Sequence, residues 1–391
     1  MKINYNLFLF AVAVIAITSC AAPQGQAKTD EIRFKKHVLS TEYIAEGATI
    51  SDVNKDGLPD VLAGTFWWQA PDWIKHELTT AEIHASINGY GNSFFGFSYD
   101  VNGDGWEDYI KVGFPGAEAF WYENPQNKEG HWIQRLVYPS VGNESPAFVD
   151  VDGDGRPDLL CNDSKNRKVV WVSPPRNKGD TAWTSYTISD DPDRATHMFT
   201  HGLGLGDING DGRKDVIIKS GWWEAPEDRT QPNWTFHPAD LGADCSQMFV
   251  LDLDGDGDND VISASAHQYG IWWHEQVRRG DSIAFVQHEI FTEFSQSHGL
   301  TLADINGDGQ PDIITGKRFW AHNGHDPGER DPAVLYWFEY KPGKQPQWIP
   351  HLVDSRSGVG VDVVARDINN DGLNDIIVAN KNGVFVFEQL K

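Results

Sequence analysis

A nine-residue phrase recurs seven times along the 391-residue chain. The copies are DVNKDGLPD (52–60), DVNGDGWED (100–108), DVDGDGRPD (150–158), DINGDGRKD (207–215), DLDGDGDND (252–260), DINGDGQPD (304–312) and DINNDGLND (367–375). One such phrase is a turn of the kind Asp and Gly favour. Seven complete copies of Asp-x-Asx-x-Asp-Gly-x-x-Asp require one structural unit repeated along the chain. Oxygen ligands at positions one, three and five, with Gly at six for the sharp turn, form the first half of a calcium loop. A carbonyl at seven and the Asp at nine would close the shell, and this flexible all-oxygen chelate suits Ca²⁺ better than Mg²⁺.

The expected ligands are Asp52, Asn54, Asp56 and Asp60 in the first copy and Asp100, Asn102, Asp104 and Asp108 in the second. Asp150, Asp152, Asp154 and Asp158 follow in the third, and Asp207, Asn209, Asp211 and Asp215 in the fourth. The fifth has Asp252, Asp254, Asp256 and Asp260; the sixth Asp304, Asn306, Asp308 and Asp312; the seventh Asp367, Asn369, Asp371 and Asp375. These 28 positions hold 23 Asp and five Asn, so of 57 acidic residues only 34 lie elsewhere, against 32 Lys plus Arg. Up to seven bound Ca²⁺ would move the formal charge from −25 to −11. The acidity therefore reads as internal metal chemistry, and nucleic acid is excluded as a partner.

Each phrase sits at the same place in a larger pattern. An apolar stretch such as HGLGLG (201–206) precedes it, and a short strand such as DVIIKS (215–220) follows. An aromatic strand comes next, for example FWW (66–68) or IWW (271–273), and then a fourth element such as WIKHEL (73–78) or WIPHLV (348–353). These are strand-favouring residues with no helical period. The seventh unit lacks its fourth strand at Lys391, and a matching FKKHVL (34–39) stands ahead of the first loop. The expectation is an all-β, seven-bladed propeller of four-stranded antiparallel blades over 31–391. The N-terminal strand would join the last blade and remove the open edges, and every blade would carry a calcium loop.

The start of the chain reads differently. Lys2, an apolar run from Leu7 to Ile17 and then Ile17-Thr18-Ser19-Cys20 predict a lipoprotein signal peptide over 1–19. Cys20 would be lipidated, with 20–30 as a tether, placing a monomeric protein in the cell envelope, bound to its membrane by the lipid alone. Cys161 and Cys245 are read as buried free thiols, not as a disulfide framework.

The nonapeptide, the apolar strand before it and the count of seven resemble the FG-GAP/VCBS repeat family, whose propellers include the integrin α-subunit head. The resemblance covers nearly the whole chain after the signal. It implies Ca²⁺ in loops between the first and second strands of each blade, on one rim. The general repeat architecture is also similar to the propeller domain of aldos-2-ulose dehydratases, which eliminate water from keto-sugars and carry metal ions.

The opposite rim is where a ligand would sit over the central channel. Six residues before the first Asp of each loop stand Glu46, Phe94, Glu144, His201, Ser246, His298 and Val361, with Gln247 and Asp362 one residue further in. Two imidazoles and two carboxylates could meet there, a set suited to a transition metal or to acid–base work. Five other histidines, His37, His76, His237, His288 and His351, share one outer-strand position and read as packing residues. The sixth unit also carries an insertion, GKRFWAHNGHDPGERDP (316–332), at this rim. Long loops on a rigid scaffold are disproportionately functional, and this one brings Lys317, Arg318, His322, His325 and Asp326. A merely self-packed loop would instead staple Asp326 to Arg330. Lys219 and His267 fall on the same rim.

The expected activity is a carbohydrate lyase or dehydratase, eliminating across a keto-sugar or uronic acid. It needs a base near neutrality and a cation to stabilise the enolate. His201, His298, His322, His325, Lys317 and Arg318 are the expected catalytic set: His201, His298 and His322 as base or metal ligands, and Lys317, Arg318, Lys219 or one Zn²⁺ or Mn²⁺ at the mouth as the cation. Glu46, Glu144, Lys219, His267 and Asp362 would bind the saccharide. The alternative is a non-catalytic propeller holding a glycan or a protein partner. A separation of more than about 10 Å between His201 and His298 would leave no shared ligand and favour that alternative. No Gly-x-Ser-x-Gly elbow, dinucleotide fingerprint or phosphate loop is present.

Overall fold

The computed structural model describes Met1 and residues 31–391 apart from Asp281. The signal segment 1–19, Cys20 and the tether 20–30 concern residues outside this set, Met1 aside. The compact unit described below is Arg33–Lys391.

Among the described residues, twenty-eight strands pair into six sheets. Sheet 1 holds Thr49–Ser51, Asp60–Ala63, Phe66–Gln69 and Ile74–Glu77. Sheet 2 holds Phe95–Tyr99, Asp108–Val112, Ala117–Glu123 and Ile133–Val141, and sheet 3 Ala147–Val149, Asp158–Asp163, Lys168–Ser173 and Thr184–Ser189. Sheet 4 has eight strands. It joins Leu203–Gly206, Asp215–Ile218, Gly221–Glu224 and Thr235–Pro238 to Gln247–Leu251, Asp260–Ala264, Tyr269–Arg279 and Ser282–Ser295. Sheet 5 holds Leu300–Ala303, Asp312–Gly316, Leu335–Lys341 and Gln347–Asp354. Sheet 6 pairs Val364–Arg366, Asp375–Asn380 and Gly383–Leu390 with Arg33–Ser40 from the other end of the chain.

The second strands are the core of the unit. DVLA, DVII and DIIVAN are buried at every position, as their unbroken apolar runs require. The outer strands are partly exposed, and four of their five expected packing histidines lie flat on the indoles of the third strands, while His37 meets Trp73 edge-on. His76, His237, His288 and His351 stack on Trp67, Trp222, Trp273 and Trp337 at 4.2–4.4 Å. Cys161 and Cys245 are free and buried.

The fold is an all-β propeller of five four-stranded blades and one eight-stranded sheet, which corrects the expectation of seven separate blades. It also corrects the expectation of one nonapeptide per blade, because 207–215 and 252–260 share sheet 4. The fusion is a short parallel pairing, Leu203 with Gln247 and Gly204 with Met248. Its physical cause is the absence of side chains on one partner. A Cβ on Gly204 would stand 2.3 Å from the Met248 carbonyl oxygen, and one on Gly206 would stand 2.3 Å from Val250 Cβ. Gly204→Ala is therefore expected to part these strands and cost about 1–3 kcal/mol, the range for overpacking. The midpoint of denaturant unfolding measures it; an unchanged midpoint would show that the pairing is incidental.

Candidate functional site

The first strands of sheets 1, 3, 4 and 5 begin on one rim, and the residues just before them are Glu46, Glu144, His201 and His298. All four are buried. The structure brings them together around Arg318, at the root of the insertion. Arg318 is fully buried; its Nε donates to Glu46 at 3.0 Å and its Nη1 to Glu144 at 3.2 Å. Nη1 also stands 3.3 Å from a ring nitrogen of His298. The His201 and His298 rings are 5.1 Å apart, and each faces Glu144, at 3.8 and 3.9 Å. Burial opposes the guanidinium charge, but Glu46 and Glu144 outweigh it and hold Arg318 more firmly protonated than usual.

The insertion adds a second layer. The His322 ring is 5.3 Å from that of His298 and 4.4 Å from that of His267. Asp326 accepts from His322 Nδ1 at 2.5 Å and from His267 Nδ1 at 3.3 Å. It faces imidazoles rather than Arg330, which pairs with Glu329. Glu144, His201, His298 and His322 each offer a ligand atom within 4.8 Å of the others, and His267, His322 and Asp326 do likewise. Burial pushes the His201 imidazole down to about 4 and the His298 imidazole well below its ordinary value, the latter helped by Arg318. Neutral imidazoles keep a lone pair. Among the described residues nothing bonds to His201 Nε2, a buried polar atom that wants a partner. His298 is the weakest donor of the four, because Arg318 already occupies the space beside both of its nitrogens.

The outer pair behaves differently. The hydrogen bond to Asp326 raises His267. Burial alone would raise the Asp326 carboxyl, yet His267 and His322 hold it well below the usual carboxylate range. His267 and His322 are about a quarter exposed, whereas His298 and Arg318 are fully covered.

Other expected residues fall outside this cluster. His325 is exposed. Lys317 is buried but turns into the insertion, where its Nζ donates to the Glu329 carbonyl at 3.4 Å. Asp362 lies beside Gly47 and Gly299 and accepts from the Val363 amide at 2.9 Å. Lys219 pairs with Asp244, whose carboxylate feels His201 and His267. Residues from the connections complete the mouth. Tyr43 donates to Glu46 at 2.8 Å, Tyr90 accepts from the His322 amide at 2.6 Å, and Lys381 Nζ sits 3.9 Å over the Tyr90 ring.

On the opposite rim the nonapeptides turn tightly around their own first carboxylate. In the first, Asp52 accepts from the amides of Asp56 and Gly57. Asp150, Asp152 and Asp158 bring oxygens within 4.8 Å, as do Asp252, Asp254 and Asp256. An all-oxygen donor set of this kind fits Ca²⁺; beside the third loop, Arg176 already stands 3.1 Å from Asp152. The ninth residue does something the repeat pattern did not announce. Asp215, fully buried, accepts from the Ile208 amide at 2.9 Å and the Ala225 amide at 2.8 Å. Asp60, Asp108, Asp260, Asp312 and Asp375 make the same two bonds to the equivalent amides. The only hint in the sequence is the buried strand that each of these Asp residues opens.

Fold and site define an all-β propeller with a histidine-rich mouth. The FG-GAP-like repeat family matches residues 100–161, 150–218 and 252–315, a span that includes five of the seven nonapeptides. The chain carries FG-GAP-like repeats in a propeller arrangement. No curated protein matches the sequence significantly. Among solved structures, the chain is similar to a lectin from Agrocybe aegerita that recognises non-reducing terminal N-acetylglucosamine. The identity is 15%, covering 90% of this chain and 86% of that one, with a TM-score of 0.50. It is also similar to BBS1N in complex with ARL6DN, at 10% identity over 92% and 96% of the two chains and a TM-score of 0.51. A rhamnogalacturonan lyase from Bacillus licheniformis aligns at 12% identity over 91% and 75%, with a TM-score of 0.47. At these identities the likeness is one of fold, and the last is too distant to carry any argument.

Proposed function

We propose that this protein is an envelope-anchored, calcium-stabilised propeller that acts on carbohydrate, as a lyase or dehydratase, through a transition-metal site at its mouth. The observation that carries the reading is the convergence of Glu144, His201, His298 and His322, with ligand atoms within 4.8 Å and three of the four residues buried. Imidazole with one carboxylate suits Zn²⁺ or Mn²⁺. A bound ion would stabilise the negative charge that develops on a substrate oxygen as an α proton leaves.

The chain's own residues supply the rest. His267, partly open to solvent and held by Asp326, is placed to take the proton. Asp326 also fixes the His322 ring from behind, as a carboxylate does for a metal-bound imidazole. Arg318 aims Glu144. Lys219 with Asp244 offers a donor and an acceptor for sugar hydroxyls. The nonapeptides take up to seven Ca²⁺, and Cys20 carries the lipid. The dehydratase comparison rests on repeat architecture alone; the elimination chemistry rests on the imidazoles and the cation site.

Asp326→Asn is expected to weaken Zn²⁺ or Mn²⁺ binding about 10–100-fold, read by competition against a chelator. Turnover tests the activity. With Zn²⁺ or Mn²⁺ present, keto-sugars or uronic-acid polysaccharides are expected to yield unsaturated product, and His267→Ala to lower the rate about 100-fold or more. Saccharide retained without product at any metal concentration would favour binding instead. Such a role would parallel the sugar recognised by the Agrocybe aegerita lectin or the protein partner of BBS1N.

A further inference from the structure

The donors at the mouth come from two bodies. Glu144, His201 and His298 belong to strand starts of the scaffold, whereas His322 and the Asp326 behind it ride on the insertion. The root of that insertion is fixed. The Lys317 amide donates to the Val334 carbonyl and the Arg318 amide to the Gln296 carbonyl, both at 2.9 Å, and the Arg318 guanidinium is locked between two buried carboxylates.

Its tip is held in another way. Trp320, His322 and Asn323 all have left-handed backbones, with φ of 52°, 48° and 56°. For residues bearing a Cβ this conformation is unfavourable and persists only where the surroundings impose it. Beside the fully buried Ala321, the contacts that impose it here are polar. Trp320 Nε1 donates to Asn88 at 2.9 Å, the Gly89 amide to Asn323 at 2.7 Å, the His322 amide to Tyr90 Oη at 2.6 Å, and Lys381 Nζ to the Trp320 carbonyl at 3.1 Å. Each of these groups can bond to water when the tip lifts, so their net pull is modest. A metal bond to His322 is different in kind, since it ties the tip to ligands just ahead of three separate strands.

We propose that the tip of the insertion is a metal-latched cap: ligation of a transition metal by His322 together with Glu144, His201 and His298 holds it on the mouth, and loss of the metal releases it. This rests on the mouth metal site proposed above. The latch decides what a ligand can reach. His298 is fully covered, with the His322 ring of the cap 5.3 Å from its own, whereas His267 and His322 face solvent in the closed state. Lifting the cap takes that ring away from His298.

Amide hydrogen exchange of residues 319–326 tests the latch on the full chain, in calcium-containing buffer so that the nonapeptides stay loaded. The comparison is Zn²⁺ or Mn²⁺ against 1,10-phenanthroline. Exchange in the tip is expected to be at least about tenfold slower with the metal. In His201→Ala, a change on the scaffold, that dependence is expected to vanish while metal-free exchange matches the wild type. Asp326→Asn serves as a second variant, with a smaller metal effect. If the protein binds the metal and the tip exchanges equally with and without it, the latch is wrong while the metal site stands. If neither metal binds, both fall together.

Discussion

Arg318→Ala is expected to destabilise the protein by about 3–5 kcal/mol, the cost of leaving buried charge without its partner. The guanidinium is fully covered and is the one cation that touches both Glu46 and Glu144 among the described residues. Without it, two buried carboxylates stand close to two imidazoles, and burial offers no water to take its place. Arg318→Lys is not expected to rescue the loss, because an ammonium cannot fork to two acceptors set apart by the guanidinium plane. Adding Glu46→Gln to Arg318→Ala removes one of the orphaned charges. The double variant should therefore lose less than the sum of the single losses, by about 0.5–3 kcal/mol. Denaturant unfolding of the four proteins measures this. A cost below about 1 kcal/mol for Arg318→Ala would mean that the cluster is open to water.

Asp215→Ala is expected to cost about 2–6 kcal/mol even in calcium-free buffer, because it strands two buried amides, Ile208 and Ala225, at roughly 1–3 kcal/mol each. Asp211, at position five of the same loop, is a contrasting case. Its carboxylate accepts from the Arg213 amide and the Asn209 side chain and pairs with the Arg213 guanidinium, all within the solvent-open loop. Asp211→Ala should matter chiefly when calcium is present to be lost, since a bound ligand stabilises only the state that binds it. Thermal melts of both variants, with and without Ca²⁺, separate staple from ligand. Equal behaviour of the two would contradict a division of labour between the ninth and fifth positions.

Much of this was legible in the sequence because the repeat fixes a register. Counting back from each nonapeptide put Glu46, Glu144, His201 and His298 at one level of one rim, and residues at one level of a ring of strands converge. The outer-strand histidines were legible for the same reason. What escaped lies between units or outside the repeat. Gly204 and Gly206 read as ordinary members of an apolar strand, and their consequence, the parallel seam with Met248 and Val250, needs the neighbouring unit in place. Tyr90 and Lys381 come from connections that share no register with anything. Within the insertion, His322 is the preferred base or metal ligand, but the directions of the five candidate side chains could not be read, because an irregular segment has no period. The structure sends Lys317 and His325 away from the cluster and makes Arg318 a buried partner of Glu46 and Glu144.

The most direct test of the mouth as a metal site is elemental analysis of the protein after equilibration with Zn²⁺ or Mn²⁺ and dialysis against calcium buffer. One transition-metal ion per chain is expected beside the calcium. It should be lost in His201→Ala and in His322→Ala, with calcium unchanged in both. Calcium alone in the wild type, or a transition metal retained by both variants, would contradict the site.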